Sequence, residues 1–386
     1  MPVPYEDVGD LVGLTGSWFI GTLFLLVLAL GTVTVARWPR LGGRGVRPVL
    51  ARTGLLAAVQ AAALLAVLTA VNAHFEFYAG WDDLFGTNAA PGRIQRAEAR
   101  AGHVPAVAAL SIHRLAPPGG AGRDPRKAGA LEELRFTGAS TGLPADGYVL
   151  LPPEYFQPAY AARRFPVVVA LTGYPGHPSA LLRVMHLPDL VRQGERSGRV
   201  PPAVYVMMRP TLAPPRDTEC TDVPGGPQVA SFFGEDVPLA VQAHYRVATD
   251  RAGWGIMGDS TGGYCAAKVA MTHPASYTAA ASLSGYFTTI KDMTTGDLYG
   301  GSRGLRDEND LLWRERHLPP PPVSLLVASC RIGEQTFAQS QRFVAGARPP
   351  MRTDSLFLES GGHNFRTFRR MVPATLEWFG GILKAQ

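Results

Sequence analysis

Apolar positions follow two different patterns along this chain. Up to about residue 86 they are nearly continuous: Leu11 to Ala36 contains no charged side chain, and neither does Thr53 to Ala73. At about 1.5 Å per helical residue, either run can cross a hydrocarbon layer about 30 Å thick. Two such spans close together predict a helical hairpin, since backbone polar groups in lipid must be satisfied internally. From about Leu131 the pattern changes to short apolar runs separated by turn residues and helix-length stretches. Leu131–Thr137 and Tyr148–Leu151 predict strands. Phe165–Leu171 and Ala203–Met208 are apolar almost throughout, which predicts strands buried on both faces. Trp254–Met257, Ala279–Leu283, Val323–Ala328 and Ser355–Leu358 repeat that theme. Strand alternating with helix predicts an α/β class, a mostly parallel sheet with helices on both faces.

The predicted organisation is therefore an N-terminal tail (1–10), a first span (11–36), an Arg-rich loop (37–52), a second span (53–73), a juxtamembrane segment and linker (74–130), and one α/β domain (131–386). Composition agrees with a folded chain: of 386 residues, 46% are hydrophobic and 18% charged, enough apolar content to bury a sizeable core. The 43 Gly and 33 Pro follow no repeat, which removes collagen and solenoid classes. Three cysteines are too few for a disulfide scaffold or a multi-cysteine zinc module.

The net charge of +6 matters only once it is located. Arg37, Arg40, Arg44, Arg47 and Arg52 all lie between the two apolar runs, with no acid among them. Glu6, Asp7 and Asp10 flank the pair on one side, and Glu76, Asp82 and Asp83 on the other. The positive-inside rule then puts the loop in the cytoplasm and both termini outside a cell membrane. Positive charge after the first apolar run, rather than before it, argues against a cleaved signal peptide. The densest basic stretch downstream runs from Arg93 to Lys127 around Pro117-Pro118-Gly119-Gly120 and reads as a solvated linker. It lacks an aromatic-interleaved basic patch, so no nucleic-acid partner is expected.

Chemistry enters at Gly258-Asp259-Ser260-Thr261-Gly262, a G-x-S-x-G pentapeptide placed after an apolar run and before a helix-forming one. That is the strand–turn–helix of a nucleophile elbow, which lifts the Ser260 hydroxyl above the sheet. The next amide, that of Thr261, then lies at a helix N-terminus where it can stabilise an oxyanion. The preceding Asp259 would oppose that charge unless it points away or is paired. A hydroxyl at its ordinary pKa needs a base, itself oriented by an acid, and on such a fold the chain order is Ser, acid, His. His363, in Ser360-Gly361-Gly362-His363-Asn364-Phe365 directly after a late strand, is the expected base; His317 precedes a run of prolines and fits a connector. Glu334 is the first acid beyond Val323–Ala328 and is the expected orienter, with Asp354 and Glu359 as rivals. A second oxyanion donor is expected in Thr172-Gly173-Tyr174-Pro175-Gly176-His177, after the early strand. Pro175 has no N–H, which leaves Gly173, Tyr174 or Gly176, with Tyr174 preferred.

These residues resemble the esterase family that includes S-formylglutathione hydrolase (esterase D) and the mycobacterial mycolyltransferases. The resemblance covers roughly 131–386. It rests on L-T-G-Y (Leu171–Tyr174), G-D-S-T-G-G (Gly258–Gly263), H-P (His273-Pro274), L-S-G (Leu283–Gly285) and G-G-H-N-F (Gly361–Phe365). It implies an α/β-hydrolase fold, a triad of Ser260, Glu334 and His363, and donors from Tyr174 and Thr261. Thr172 stands where the mycolyltransferases have an Asp. With its two spans the whole chain is similar to membrane-anchored actinobacterial esterase-like proteins.

Two further features call for a reading. Asp217-Thr218-Glu219-Cys220-Thr221-Asp222 is expected to be a solvated or substrate-gating loop, without the ligand spacing of a calcium motif. An extracytoplasmic position would permit a bridge between Cys220 and Cys265, with Cys330 left over, the default alternative being three unpaired thiols. Asp297 lines a pocket or caps a turn. The expected function is a membrane-anchored, extracytoplasmic serine esterase acting on an ester or acyl-lipid substrate, without metal or organic cofactor. The alternatives are an acyltransferase using an envelope lipid or sugar as acceptor, and a non-catalytic binding module of the same fold.

Overall fold

A computed structural model of the chain describes residues 16–75, 81, 110–115 and 124–386. The chain divides into two compact units, Met1–Gly92 and Arg93–Gln386. In the first unit, α1 (Ser17–Arg37) and α2 (Val46–Phe75) are joined through a short 3-10 turn at Trp38–Leu41. Both helices are long and apolar enough to cross a membrane. Side-chain hydroxyls within them are satisfied locally: Thr22, Thr32, Thr34 and Thr69 each donate to the carbonyl one turn back. Of the most apolar windows only 11% and 17% is buried within the chain, so Leu25, Leu28, Leu64 and Leu68 are exposed. Helix α2 begins earlier than the apolar pattern indicates, taking in Arg47 and Arg52 from the expected loop. Pro48 lies in its first turn, where no intrahelical N–H is needed.

The second unit is built on one nine-stranded sheet: β1 (Leu110–Leu115), β2 (Ala130–Thr137), β3 (Pro144–Leu151), β4 (Val167–Leu171), β5 (Val204–Met208), β6 (Trp254–Asp259), β7 (Ala279–Leu283), β8 (Ser324–Ile332) and β9 (Arg352–Ser360). Their order across the sheet is β1-β2-β3-β5-β4-β6-β7-β8-β9. Strands β1, β2, β3 and β5 pair antiparallel, and β5 through β9 pair parallel. Strand β4 shows why the apolar runs are continuous. Val167, Val169 and Leu171 enter one core, while Val168 and Ala170 enter the other. The first core is closed by α4 (Val237–His244), α5 (Thr261–Thr272) and α6 (Phe337–Gly346). The second is closed by α3 (Leu187–Arg196) and α7 (Phe365–Ile382), the latter through Phe368, Met371, Val372, Leu376 and Phe379.

One sequence expectation needs correction here. The 74–130 stretch is not linker throughout, since Leu110–Leu115 forms the edge strand β1 and Pro125–Ala128 a helical turn. The strand is held in register from Leu110↔Phe136 to Leu115↔Leu131, and Arg114 pairs with Glu132 at 3.0 Å. The rest of that stretch lies mostly outside the described residues.

Candidate active site

Parallel strands place all their carboxyl ends at one edge of the sheet, and the order reverses around β4, which opens a crevice there. Leu171 is in register with Gly258, so the loop after β4 and the elbow after β6 leave the sheet side by side. Ser260 occupies the elbow with φ 54° and ψ −124°, a conformation that residues bearing a side chain avoid. The turn can be this tight because position 262 lacks a side chain: a Cβ there would lie 2.4 Å from the Thr172 carbonyl oxygen. Thr261 opens α5, so its N–H has no carbonyl one turn back to bond.

The three side chains expected from sequence come together here. His363 Nε2 lies 2.8 Å from Ser260 Oγ, and His363 Nδ1 lies 3.0 Å from Glu334 Oε2. The histidine is set by α7, which starts just beyond it and is capped by Asn364 Oδ1 accepting from the Thr367 amide at 3.1 Å. Its ring meets Phe368 edge-on, with centroids 5.3 Å apart. Glu334 follows β8, its carboxylate almost fully buried, and Oε1 accepts from the Thr336 amide and hydroxyl at 3.3 and 3.2 Å. Burial pushes this carboxyl up, but its bond to His363 and the Thr336 amide outweigh that and hold it below the usual range. Burial likewise lowers His363, yet Glu334, with help from Asp259, leaves it above the ordinary imidazole value. The rival acids are engaged elsewhere: Asp354 accepts from the Trp378 indole at 2.7 Å, and Glu359 faces Arg331 at 3.3 Å.

Of the three amides considered in the loop after β4, Gly173 donates to Asp259 Oδ2 at 3.1 Å and Gly176 donates to the Gly173 carbonyl at 2.8 Å. The Tyr174 hydroxyl donates to the Pro215 carbonyl at 2.7 Å, which ties this loop to the one after β5.

Sequence reasoning missed the character of the acidic loop. It is not solvated: Asp217, Glu219 and Cys220 are buried, and Cys220 is bonded to Cys265 in α5. The reason is Lys268, one turn beyond Cys265 and 1% exposed, whose ammonium donates to the Glu219 carbonyl at 2.8 Å and to Thr221 Oγ1 at 2.7 Å. A lysine inside an otherwise apolar helix was the available signal. Burial pushes Lys268 down, opposed by Glu219, and pushes Glu219 up, opposed by Lys268. Asp297 caps a turn, accepting from the Tyr299 and Gly301 amides at 3.0 and 2.8 Å.

Comparison with known proteins gives this geometry its context. Residues 138–374 match the family described as "Putative esterase". An uncharacterized protein of Corynebacterium glutamicum is 25% identical over 282 residues, 66% of this chain, and the chain spans 62% of that protein's length. Among solved structures, a ferulic acid esterase superposes with a TM-score of 0.55 at 18% identity, over 66% of this chain and 98% of its own. An S-formylglutathione hydrolase from Agrobacterium tumefaciens gives 0.55 at 14% identity, over 66% and 96%. A fluorophosphonate-binding serine hydrolase of Staphylococcus aureus gives 0.53 at 15%, over 65% and 98%. Those structures share the fold, and the family match takes in more than half of the chain. The chain belongs to this esterase family and has the α/β-hydrolase fold.

Proposed function

We propose that this protein is a membrane-anchored serine esterase whose catalytic domain, residues 131–386, faces outward from the cell membrane and cleaves carboxylic esters through an acyl-enzyme. The observation that carries the reading is the hydrogen-bonded series Ser260 Oγ, His363, Glu334, with links of 2.8 and 3.0 Å. Ser260 Oγ attacks the ester carbonyl carbon while His363 Nε2 takes its proton. The imidazolium so formed keeps its Nδ1–H on Glu334, which fixes the tautomer and balances the charge. The carbonyl oxygen gains the electron pair and is met by the amides of Thr261 and Tyr174. Collapse of the tetrahedral intermediate expels the alcohol, protonated from Nε2, and water repeats the sequence on the acyl-enzyme.

Anchoring and orientation rest on separate observations. Two long apolar helices leave most of their surface uncovered by the chain, and every positive charge between them lies at one end of the hairpin. The Cys220–Cys265 bond suits an oxidising compartment. The full chain, purified in detergent, should hydrolyse a short p-nitrophenyl ester. Ser260→Ala and His363→Ala should each lower kcat by at least about 10^4-fold with the fold intact by circular dichroism. A wild-type protein that cleaves no such ester, or an alanine variant that keeps its rate, overturns the assignment.

A further inference from the structure

Asp259 is the acid beside the nucleophile, and its position makes it more than a neighbour. Its carboxyl is 2% exposed. Oδ2 accepts from the Gly173 amide at 3.1 Å, and Oδ1 has no hydrogen-bond partner among the described residues. Gly173 is held on its other side as well, because its carbonyl accepts from the Gly176 amide at 2.8 Å and the Thr172 hydroxyl at 2.7 Å. The Gly173–Tyr174 peptide group is planar and trans, so its C=O and N–H point in opposite directions. Fixing the Gly173 carbonyl therefore fixes where the Tyr174 N–H points, provided Gly173 itself cannot rotate.

That proviso is demanding, because glycine has the freest backbone of any residue. Nothing larger fits: a Cβ at position 173 would lie 2.9 Å from Ser260 Cβ and 3.3 Å from Asp259 Oδ2. The loop thus needs its most flexible residue where it needs a rigid one, and a restraint must come from outside it. The bond from Asp259, 86 residues away in the chain, supplies that restraint.

We propose that Asp259 is a positioning residue for ester hydrolysis, anchoring the Gly173 amide so that the adjoining Tyr174 amide is presented to the oxyanion. This rests on the reading of Ser260 as nucleophile and Tyr174 as oxyanion donor. Burial pushes the Asp259 carboxyl up to about 7, opposed by the Gly173 amide, by the charge of His363 and by its own backbone amide. The strands on either side of β6 contribute no titratable group at this level: Leu171 of β4 is opposite Gly258, and Ser282 and Leu283 of β7 are opposite Gly258 and Asp259. The same carboxyl that, when ionised, would oppose an oxyanion is therefore turned to a loop amide.

The test compares full-length wild type with Asp259→Ala, Asp259→Asn and Ser260→Ala in detergent. Asn retains an oxygen that accepts from Gly173 but carries no charge. Removing one oxyanion donor costs roughly 10²–10³-fold in kcat, so Asp259→Ala should lose about 100-fold in kcat with KM little changed. Asp259→Asn should recover to within about tenfold of wild type, because its amide oxygen can still accept from Gly173. Amide hydrogen exchange in the segment 171–177 should quicken in Asp259→Ala and stay near wild type in Asp259→Asn. The proposal is overturned if Asp259→Ala keeps wild-type kcat and exchange. It is equally overturned if Asp259→Asn is as slow as Asp259→Ala. A Ser260→Ala variant as active as wild type would instead remove the nucleophile assignment, and hydrogen exchange would then decide the Gly173 anchor by itself.

Discussion

Ser260 holds a backbone conformation that costs of order 1–3 kcal/mol in a residue with a side chain, and the surrounding elbow imposes it. Relieving that cost separates stability from activity. Ser260→Gly should melt at or above the wild-type temperature while losing esterase activity, measured by calorimetry and ester hydrolysis on the same preparation. A lower melting temperature would show that the turn is unstrained. The proton relay has its own signature. Catalysis needs neutral His363, and its pKa is raised above the ordinary value, so kcat/KM should fall on acidification with a limb above about pH 6.5. Glu334→Gln removes the main cause of that rise, so burial prevails and the limb should move to lower pH. The residual rate should drop by about 10^4-fold, as when a triad acid elsewhere is made an amide. An acid limb that stays in place in Glu334→Gln would mean that His363 does not carry the titration.

At the level of strands and helices, stability and site are joined through α5. It carries Thr261 at its first position, Cys265 bonded to the loop before it, and Lys268 paired within that loop. Replacing Lys268 by Met removes the donor to the Glu219 carbonyl and the Thr221 hydroxyl and leaves buried acceptors unmet, a loss of about 1–3 kcal/mol. Urea denaturation should show that loss, and an unchanged transition in Lys268→Met would count against these bonds. Much of this layer was legible in sequence because strands buried on both faces leave unbroken apolar runs, as in Val167–Leu171 and Val204–Met208. The elbow and Gly361–Phe365 were legible because steric and chemical demands there admit few residues. Strand β1 was not: Leu-Ser-Ile-His-Arg-Leu lies among Arg, Pro and Gly, and an edge strand needs only one buried side. Nor was the burial of Asp217 and Glu219, since carboxylates read as solvated until Lys268, 47 residues beyond Thr221, is known to face them. The Asp259–Gly173 bond depends on register between β4 and β6, which no local pattern encodes.

For the molecule as a whole, one chain carries an apolar hairpin and a hydrolase-fold unit, and the proposed orientation puts the hairpin's positive end in the cytoplasm. A cysteine placed at Gly43, between the two helices, should react with a membrane-impermeant maleimide only after the membrane is opened. Labelling in intact cells would reverse the orientation. Reduction is informative at this level too, because loss of Cys220–Cys265 frees a segment of 45 residues, and a disulfide closing such a loop is worth about 2–4 kcal/mol. The purified protein should therefore melt lower in reductant, whereas an unchanged transition would argue that the bond bears no load.

The most direct measurement is covalent. Full-length protein treated with a fluorophosphonate should gain one phosphonyl group, and peptide mapping should find it on the oxygen of Ser260. Ser260→Ala should gain none there, and His363→Ala should react far more slowly because its hydroxyl has lost the base that activates it. A folded wild type that takes up no label, or one modified at another side chain while Ser260→Ala still hydrolyses esters, would contradict the account.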